Sequence, residues 1–343
     1  MKRLGKMRFG NKKRSLVFGF MALCVMVSSA QSRQAMENFE NQLKPLMDEM
    51  FYAPIDNQKF NANEKFIALM ADILTYPKSF SYPFERLTSN NVDSMRISVL
   101  CPTDNRFRIY TWSIKNDFGE VENFGFVQVP NPEEKENFVY RLFDKSEESI
   151  YPEEAKLHDT NWFGAVYYSL ITTKYDGNSY YTLLGWDGKD IYSQRKIIEP
   201  ISIKASNGQP TFGSAVFYKE KNRKRCIFEY SPKANFILRY DNQFVERRLT
   251  KKTQRNKKII PQSKTEIERD MMIVYDSLQS MFGDFESLPQ YNIASYEFNG
   301  FKFEKGKWKR VVGVVPRNKP DKIRDKQNED PNKSNIKKKS GLF

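Results

Sequence analysis

The chain has 343 residues, with 56 Lys and Arg against 42 Asp and Glu, and a formal net charge of +14. Seven of the basic residues lie in the first 30 positions, which contain no acid, and residues 316–343 hold nine basic and four acidic residues. The body between these ends has 40 basic and 38 acidic residues, a balance that argues against a nucleic-acid partner.

Histidine and cysteine are scarce, which limits the chemistry of the chain. The zinc-protease helix motif needs two histidines, and the chain has one, His158. A structural zinc site needs four Cys or His ligands, and only three such residues lie outside the first 30. No Gly-x-Ser-x-Gly elbow is present to supply a serine nucleophile for His158. We therefore predict neither a metal site nor a cofactor.

The first 30 residues have the pattern of a secretory signal peptide. The basic residues precede an apolar run, Leu16–Val27, which is too short to span a bilayer but matches the hydrophobic segment of such a leader. Small residues follow at Ser28–Ala30, so Gln31 is the predicted mature N-terminus. A lipoprotein cleaved before Cys24 and an uncleaved anchor are the alternatives. We predict export to the periplasm, or association with the outer membrane and cell surface, with no transmembrane segment after cleavage.

Residues 31–92 are predicted to form a helical N-terminal region that packs on a β domain. Apolar residues recur there at spacings of three and four, the pattern of amphipathic helices. The two sets are Phe39, Leu43, Leu46, Met47, Met50 and Phe51, and then Phe60, Phe66, Ile67, Met70, Ile73 and Leu74. The second helix is expected to end before Pro77 and to be capped by Asn61 or Asn63. A turn at Pro54–Asn57 separates the pair.

Residues 93–315 are predicted to form an antiparallel β domain, because the apolar period changes to two and turn residues separate the runs. The predicted strands are Arg96–Cys101, Arg106–Trp112, Phe124–Val129, Ala165–Thr173, Tyr180–Trp186, Ile197–Ile203, Thr211–Tyr218, Cys226–Tyr230, Phe236–Tyr240, Phe244–Leu249, Ser295–Phe303 and Lys307–Val315. Asp176-Gly177 indicates a tight hairpin. Met271–Tyr275 is a further predicted strand, and a helix with a capping box at Ser263–Glu266 is the alternative.

The predicted fold class is mainly β, or α+β overall: an N-terminal helical pair followed by an irregular sandwich or open barrel. Phe-Gly pairs at Phe124, Phe163 and Phe212 lie near the starts of predicted strands at roughly propeller-blade spacing, so a propeller-like repeat is the alternative. Beyond residue 315 almost no apolar residues remain, and 316–343 is predicted to be a basic, disordered tail.

Cys101 and Cys226 are the cysteines of the predicted mature chain. Each shares a face with apolar residues of its predicted strand, so each thiol is expected to be buried. In an oxidising compartment a disulfide between them is one outcome, worth about 4–5 kcal/mol in the chain-entropy model. Two buried free thiols are the other.

Aromatic residues make up 14% of the chain and crowd the predicted central strands. Exposed on one face, such rings stack on sugars, whereas buried rings simply fill the core. The candidate ligand-binding residues are Trp112, Trp162, Trp186 and Tyr181.

Six segments of the β region carry a recognisable pattern: Trp162–Tyr168, Tyr181–Gly188, Arg195–Glu199, Phe212–Gly213, Tyr296–Phe303 and Gly306–Trp308. Together they resemble a family of secreted Bacteroidetes proteins to which no activity is assigned, and the resemblance spans roughly Phe80 to Val315. It implies export to the periplasm or beyond and a mostly β fold. It implies no catalytic residue, and it does not include the basic tail.

Three classes of function fit these observations. The leading hypothesis is a non-catalytic envelope protein that binds a glycan, a peptide or an envelope protein partner. The second is a carboxylate-dependent glycan hydrolase, which needs two acids about 5–10 Å apart in a cleft, at least one with a raised pKa. The third is a structural or assembly component of the cell surface.

Overall fold

The computed structural model describes residues 33–88, 97–131, 133, 136–248, 265–283 and 288–314. The predicted signal peptide (1–30) and the predicted tail (316–343) lie outside these ranges, so both stay predictions. Within the described residues a helical pair comes first and antiparallel sheets follow, which confirms the predicted fold class.

Two long helices form the N-terminal pair. The first, α1, covers residues 33–52, and the second, α2, covers Asp56–Thr75; a short helix, α3, follows at Glu85–Thr88. The end of α2 is as predicted, since Tyr76 is extended, the conformation favoured by a residue before proline. None of these helices is long and apolar enough to cross a membrane.

The predicted caps of α2 are wrong. The helix begins before Asn61, at Asp56, and the flanking Ile55 provides no side-chain cap. Asn63 is buried instead, and its Oδ1 accepts a hydrogen bond from Trp112 Nε1 at 2.8 Å. A polar residue inside the helix therefore satisfies a buried indole of the neighbouring sheet, a role that its position in the sequence does not indicate.

Fourteen strands are described. Their bounds are β1 Ser98–Leu100, β2 Arg108–Lys115, β3 Val121–Val129, β4 Phe138–Phe143, β5 Leu157–His158, β6 Val166–Tyr175, β7 Asn178–Asp187, β8 Gln194–Ile203, β9 Pro210–Phe212, β10 Cys226–Tyr230, β11 Leu238–Arg248, β12 Thr265–Ser280, β13 Asn292–Glu304 and β14 Lys307–Val314. Sheet 1 is the meander β1-β2-β3-β4, and sheet 3 is the meander β11-β12-β13-β14. Sheet 2 has the order β5-β9-β8-β7-β6, with β10 also paired to β8.

The helical pair and the three sheets stack as layers, with an apolar cluster between successive layers. The cluster between the helices and sheet 1 includes Phe66, Met70, Trp112 and Phe126. The cluster between sheets 1 and 2 includes Ile109, Val127, Leu183 and Ile197. The cluster between sheets 2 and 3 includes Leu184, Ile198, Tyr275, Phe301 and Trp308. Sheet 2 is buried on both faces, because adjacent residues such as Leu183 and Leu184 point to opposite sides.

The layers form a sandwich of open sheets among the described residues, and neither a barrel nor a propeller is seen. The three Phe-Gly pairs do not occupy equivalent positions: Gly125 lies inside β3, Gly164 precedes β6 and Gly213 follows β9. They therefore mark no structural repeat.

Backbone angles confirm the predicted hairpin turn at Asp176-Gly177 and show a second turn of the same kind. Asp176 and Gly177 join β6 to β7 with φ of 49° and 74°, as a type I′ hairpin turn requires. Lys305 and Gly306 join β13 to β14 with φ of 50° and 75°.

Some strand boundaries differ from the prediction. Met271–Tyr275 lies inside β12, which confirms the strand over the helix. The predicted strands Phe236–Tyr240 and Phe244–Leu249 belong to one strand, β11, whose register with β12 runs without a break. The predicted strand Thr211–Tyr218 shortens to β9, because Gly213 turns the chain with φ of +85°. Strands β4 and β5 are not among the predicted strands.

Candidate functional site

A groove of about 740 Å³ lies where parts of the three sheets meet. Its walls come from the loop between β1 and β2, the β6–β7 hairpin with β8, and the turn between β13 and β14. We call it the aromatic groove and define it by Asp104, Arg106, Tyr180, Tyr181, Phe303 and Lys307.

Tyr181 is fixed on one side of the aromatic groove. Its hydroxyl donates to Asp104 Oδ2 at 2.7 Å, and its ring packs edge-on against Phe107 with centroids 5.2 Å apart. Burial, with the hydrogen bond to Asp104, raises the pKa of Tyr181 to about 12. Burial also pushes the pKa of Asp104 upward, but hydrogen bonds from Tyr181, Ser179 and the Arg106 N–H outweigh this and lower it. At neutral pH the pair is a neutral phenol bound to a carboxylate.

Tyr180 forms the other aromatic wall. Because adjacent strand residues face opposite sides, Tyr181 points toward sheet 1 and Tyr180 toward sheet 3. The Tyr180 ring packs on Phe303 with centroids 5.4 Å apart. A Cβ at Gly306 would lie 3.1 Å from Tyr180 Oη, so the β13–β14 turn packs closely against the Tyr180 side chain.

The aromatic groove combines half-buried rings with exposed charges. Tyr180, Tyr181 and Phe303 are half-buried, whereas Asp104 and Arg106 are exposed at its mouth. A concave site with apolar faces and a few polar groups is typical of a small-ligand site, and rings beside hydrogen-bonding groups suit a sugar.

Of the four predicted ligand-binding residues, Tyr181 alone lines the aromatic groove. Trp112 and Trp162 are corrected to core residues: both are fully buried, so neither has a face for a ligand. Trp162 Nε1 donates to Tyr167 Oη at 2.9 Å. Trp186 is half-buried and donates to Gln194 Oε1 at 2.6 Å, away from the groove lining.

Of the two outcomes expected for the cysteines, the disulfide is not formed and both thiols are free, but only Cys226 is buried. Cys101 is exposed because β1 ends at Leu100 and leaves it in the following loop. Cys226 is buried in β10 between sheets 2 and 3, and burial raises its pKa.

A second cavity, of about 550 Å³, lies between sheets 1 and 2 beside the end of β7. We call it the acidic cavity. Its lining includes seven carboxylates, Glu120, Glu122, Asp144, Glu147, Glu148, Asp187 and Asp190, and three basic residues, Arg141, Lys145 and Lys189. Asn123, on β3, donates through Nδ2 to Asp144 Oδ2 at 3.0 Å and to Asp187 Oδ1 at 2.9 Å.

Asp144 and Asp187 meet two requirements of a glycan hydrolase. Since one nitrogen contacts both, the bonded oxygens lie within about 6 Å of each other. Burial raises the pKa of Asp187 to about 6, although hydrogen bonds from Asn123 and the Lys189 N–H oppose the shift.

Protein donors nevertheless hold both carboxylates. Asp144 Oδ1 accepts the N–H groups of Ser146 and Gly164 at 2.9 and 3.1 Å. Asp187 Oδ2 accepts Arg195 Nη1 at 3.3 Å. A Cβ at position 164 would lie 1.9 Å from Asp144 Oδ2, so this close approach requires glycine. The pair therefore joins sheets 1 and 2, and protein donors already occupy oxygens of both carboxylates.

Sequence reasoning missed most of both cavities. Asp104, Tyr180 and Phe303 come from three distant segments, and no motif contains them. The Tyr180-Tyr181 dipeptide beside a predicted hairpin was the available signal, but which face stays open depends on how the sheets pack.

Among the described residues, no group of three Cys, His, Asp or Glu is arranged to hold a metal ion. A comparison with family models, curated proteins and solved structures finds no match to this chain. The resemblance to secreted Bacteroidetes proteins therefore stays a prediction, and the function has to be inferred from the two cavities.

Proposed function

We propose that the protein is exported to the cell envelope and binds a glycan in the aromatic groove without turning it over. The fixed geometry of Tyr181 is the observation that carries this proposal. Its hydroxyl is held by Asp104 and its ring by Phe107. A ring held in this way presents its remaining surface to a ligand with little loss of conformational entropy on binding.

The charges of the aromatic groove suit a glycan with an anionic substituent. Arg106 and Lys307 supply two cations, and Asp104 is the carboxylate among the lining residues. Sugar hydroxyls pair with both kinds of group, while the C–H faces of the ring pack against Tyr180 and Tyr181.

Export is tested by N-terminal sequencing of the protein expressed with its own leader. We expect the periplasmic or secreted form to begin at Gln31. A start at Cys24 would replace soluble export with a lipoprotein, and an intact N-terminus in the cytoplasm would overturn export.

Glycan binding is tested at Tyr181. A thermal-shift screen of the full chain against neutral and uronic-acid glycans, peptidoglycan fragments and lipopolysaccharide selects the ligand, which stabilises by about 2.7 kcal/mol at 100 times its Kd. In calorimetric titration with that ligand we expect Tyr181→Ala to weaken binding about tenfold or more, since a stacked ring contributes about 1.4 kcal/mol. Tyr181→Phe, which keeps the ring, should weaken it less.

Tyr192→Ala is the matched control, because Tyr192 is 64% exposed and does not line the groove. Equal binding by Tyr181→Ala, Tyr192→Ala and the parent chain would place the glycan elsewhere. If no glycan in the screen raises the melting temperature, glycan binding is overturned.

A carboxylate-dependent glycan hydrolase is the second candidate, favoured by the Asp144–Asp187 pair and the raised pKa of Asp187. Because protein donors hold both carboxylates, we expect the bound glycan to be recovered intact from the titration. Reducing ends that accumulate with the full chain but not with Asp144→Asn would establish hydrolysis instead.

A further inference from the structure

We propose that the acidic cavity is a second binding site, which takes a primary ammonium group of a linear polyamine or of a lysine side chain. The site is separate from the aromatic groove and does not depend on the glycan proposal. It is supported by an uncompensated charge, an unpartnered buried acceptor and an apolar rim.

The negative charge of the acidic cavity is only partly balanced by its own basic residues. Arg141 forms an ion pair with Glu64 at 3.2 Å, and Lys189 pairs with Glu229 at 2.5 Å. Neither of these carboxylates lines the cavity, so both cations are drawn to partners outside it. The lining carboxylates that form no ion pair with any described residue are Glu120, Glu122, Asp144 and Asp190. A concave surface with such an excess concentrates cations.

Asn123 provides the independent sign of a missing donor. It is 3% exposed and lines the cavity, and its Oδ1 has no hydrogen-bond partner among the described residues. A buried acceptor without a partner destabilises the folded state, so such atoms are rare in folded proteins. A ligand that brings an N–H donor to this oxygen removes that destabilisation.

The Asn123 amide cannot turn over to satisfy its own oxygen. Its Nδ2 serves Asp144 and Asp187 at once. A rotation of the amide by 180° would set Oδ1 against both carboxylates and leave three acceptors facing one another. The hydrogen-bond network therefore fixes the orientation of the oxygen.

An ammonium group matches this set of acceptors. It carries three N–H donors, which can be shared between Asn123 Oδ1 and nearby carboxylates. A metal ion is a poorer match, because no three ligand side chains of the described part of the chain are arranged around one point. The alkyl chain of the ligand has an apolar surface beside the cavity, formed by Phe118 and Ile191, which are 81% and 55% exposed. Both lie next to Gly119; Phe118 is two residues from the lining acid Glu120, and Ile191 directly follows the lining acid Asp190.

The two sources of an ammonium group are separated by calorimetric titration of the full chain with 1,5-diaminopentane and with N-acetyl-lysine amide at pH 7.5. Tighter binding of the diamine assigns a polyamine, and tighter binding of the lysine derivative assigns a peptide side chain. Failure of both probes to bind at about 10 mM would overturn the proposal.

Glu122→Gln is the main variant, because Glu122 forms no ion pair and its replacement by glutamine changes charge and not size. We expect Glu122→Gln to weaken binding of the tighter-binding probe about fivefold or more. Asn123→Ala should weaken it as well, measured on protein whose thermal melting shows that it is folded. Asp176→Asn, at the tip of the β6–β7 hairpin, removes the same charge far from the cavity and should leave binding unchanged.

Unchanged binding of the probe by Glu122→Gln would show that the ammonium group does not bind in the acidic cavity. An equal loss in Asp176→Asn would reduce the effect to general attraction between charges, which also overturns a specific site. Tyr181→Ala should bind the ammonium probe as the parent chain does, so failure of the glycan proposal and failure of this one give different results.

Discussion

Replacing Arg225 with methionine is expected to lower the free energy of unfolding by about 3–5 kcal/mol. Arg225 and Glu199 are both fully buried, and Arg225 Nε lies 2.8 Å from Glu199 Oε2. The guanidinium also donates to the carbonyl oxygens of Pro152 and Phe212, so it ties β8 to β9 and to the loop before β5. Without it the carboxyl of Glu199 is buried beside no cation, and two carbonyls lose a donor.

Protonation limits this loss but does not remove it. Burial raises the pKa of Glu199, and Arg225 is the group that opposes the shift. In Arg225→Met no arginine opposes the effect of burial, so the pKa of Glu199 rises further and protonation of the carboxyl costs less. The carboxyl of Glu199 and the carbonyls of Pro152 and Phe212 still lack their hydrogen-bond donor. Urea denaturation of the full chain at pH 7 measures the change.

Two further variants separate the buried pair from a general effect of losing an arginine. Arg141→Met breaks the exposed pair with Glu64 and should cost less than about 1 kcal/mol. Glu199→Leu combined with Arg225→Met should recover part of the loss, because it removes the buried acid with its partner. A loss in Arg225→Met no larger than in Arg141→Met would show that the buried pair does not support the fold.

The sequence could not have revealed this pair. Arg225 stands in a basic run, Lys221–Arg225, which is typical of a surface, and charged residues are rarely buried unless paired. The pairing follows from the register of β10 with β8, which sets Cys226 opposite Ile198 and so brings Arg225 beside Glu199. Strands β8 and β10 are not consecutive in the chain, so no hairpin turn between them indicates this register.

Elements that depend on local chemistry were predictable. The helical pair follows from its apolar spacing, and the β6–β7 hairpin follows from Asp176-Gly177, which tolerates the positive φ of its turn. The aromatic groove was not predictable, because its residues come from all three sheets. Trp112 and Tyr181 are both aromatic residues of predicted strands, and the sequence does not distinguish them. The helical pair covers Trp112, whereas Tyr181 lines the aromatic groove between the sheets.

Asp187 is expected to make the protein about 2.4 kcal/mol less stable at pH 7 than at pH 4, relative to a variant without this carboxyl. Burial raises its pKa from 3.8 to about 6, and Arg195, at 3.3 Å, opposes the shift while Asp144 adds to it. The folded chain therefore holds a proton that the unfolded chain has already released. As the pH rises through this window the unfolded state is favoured, and the stabilisation present below pH 4 is lost above pH 6.

Urea denaturation of the full chain and of Asp187→Asn at pH 4, 5, 6 and 7 tests this sign. The free energy of unfolding of Asp187→Asn should increase relative to that of the parent chain as the pH rises, with most of the change between pH 4 and pH 6. Asp176→Asn makes the same chemical change on an exposed turn and should show a difference that does not vary in this way. A pH-independent difference for Asp187→Asn would mean that the folded chain does not hold the proton. If it does hold it, the acidic cavity carries one negative charge fewer at pH 5, and an ammonium ligand should bind there more weakly than at pH 7.5.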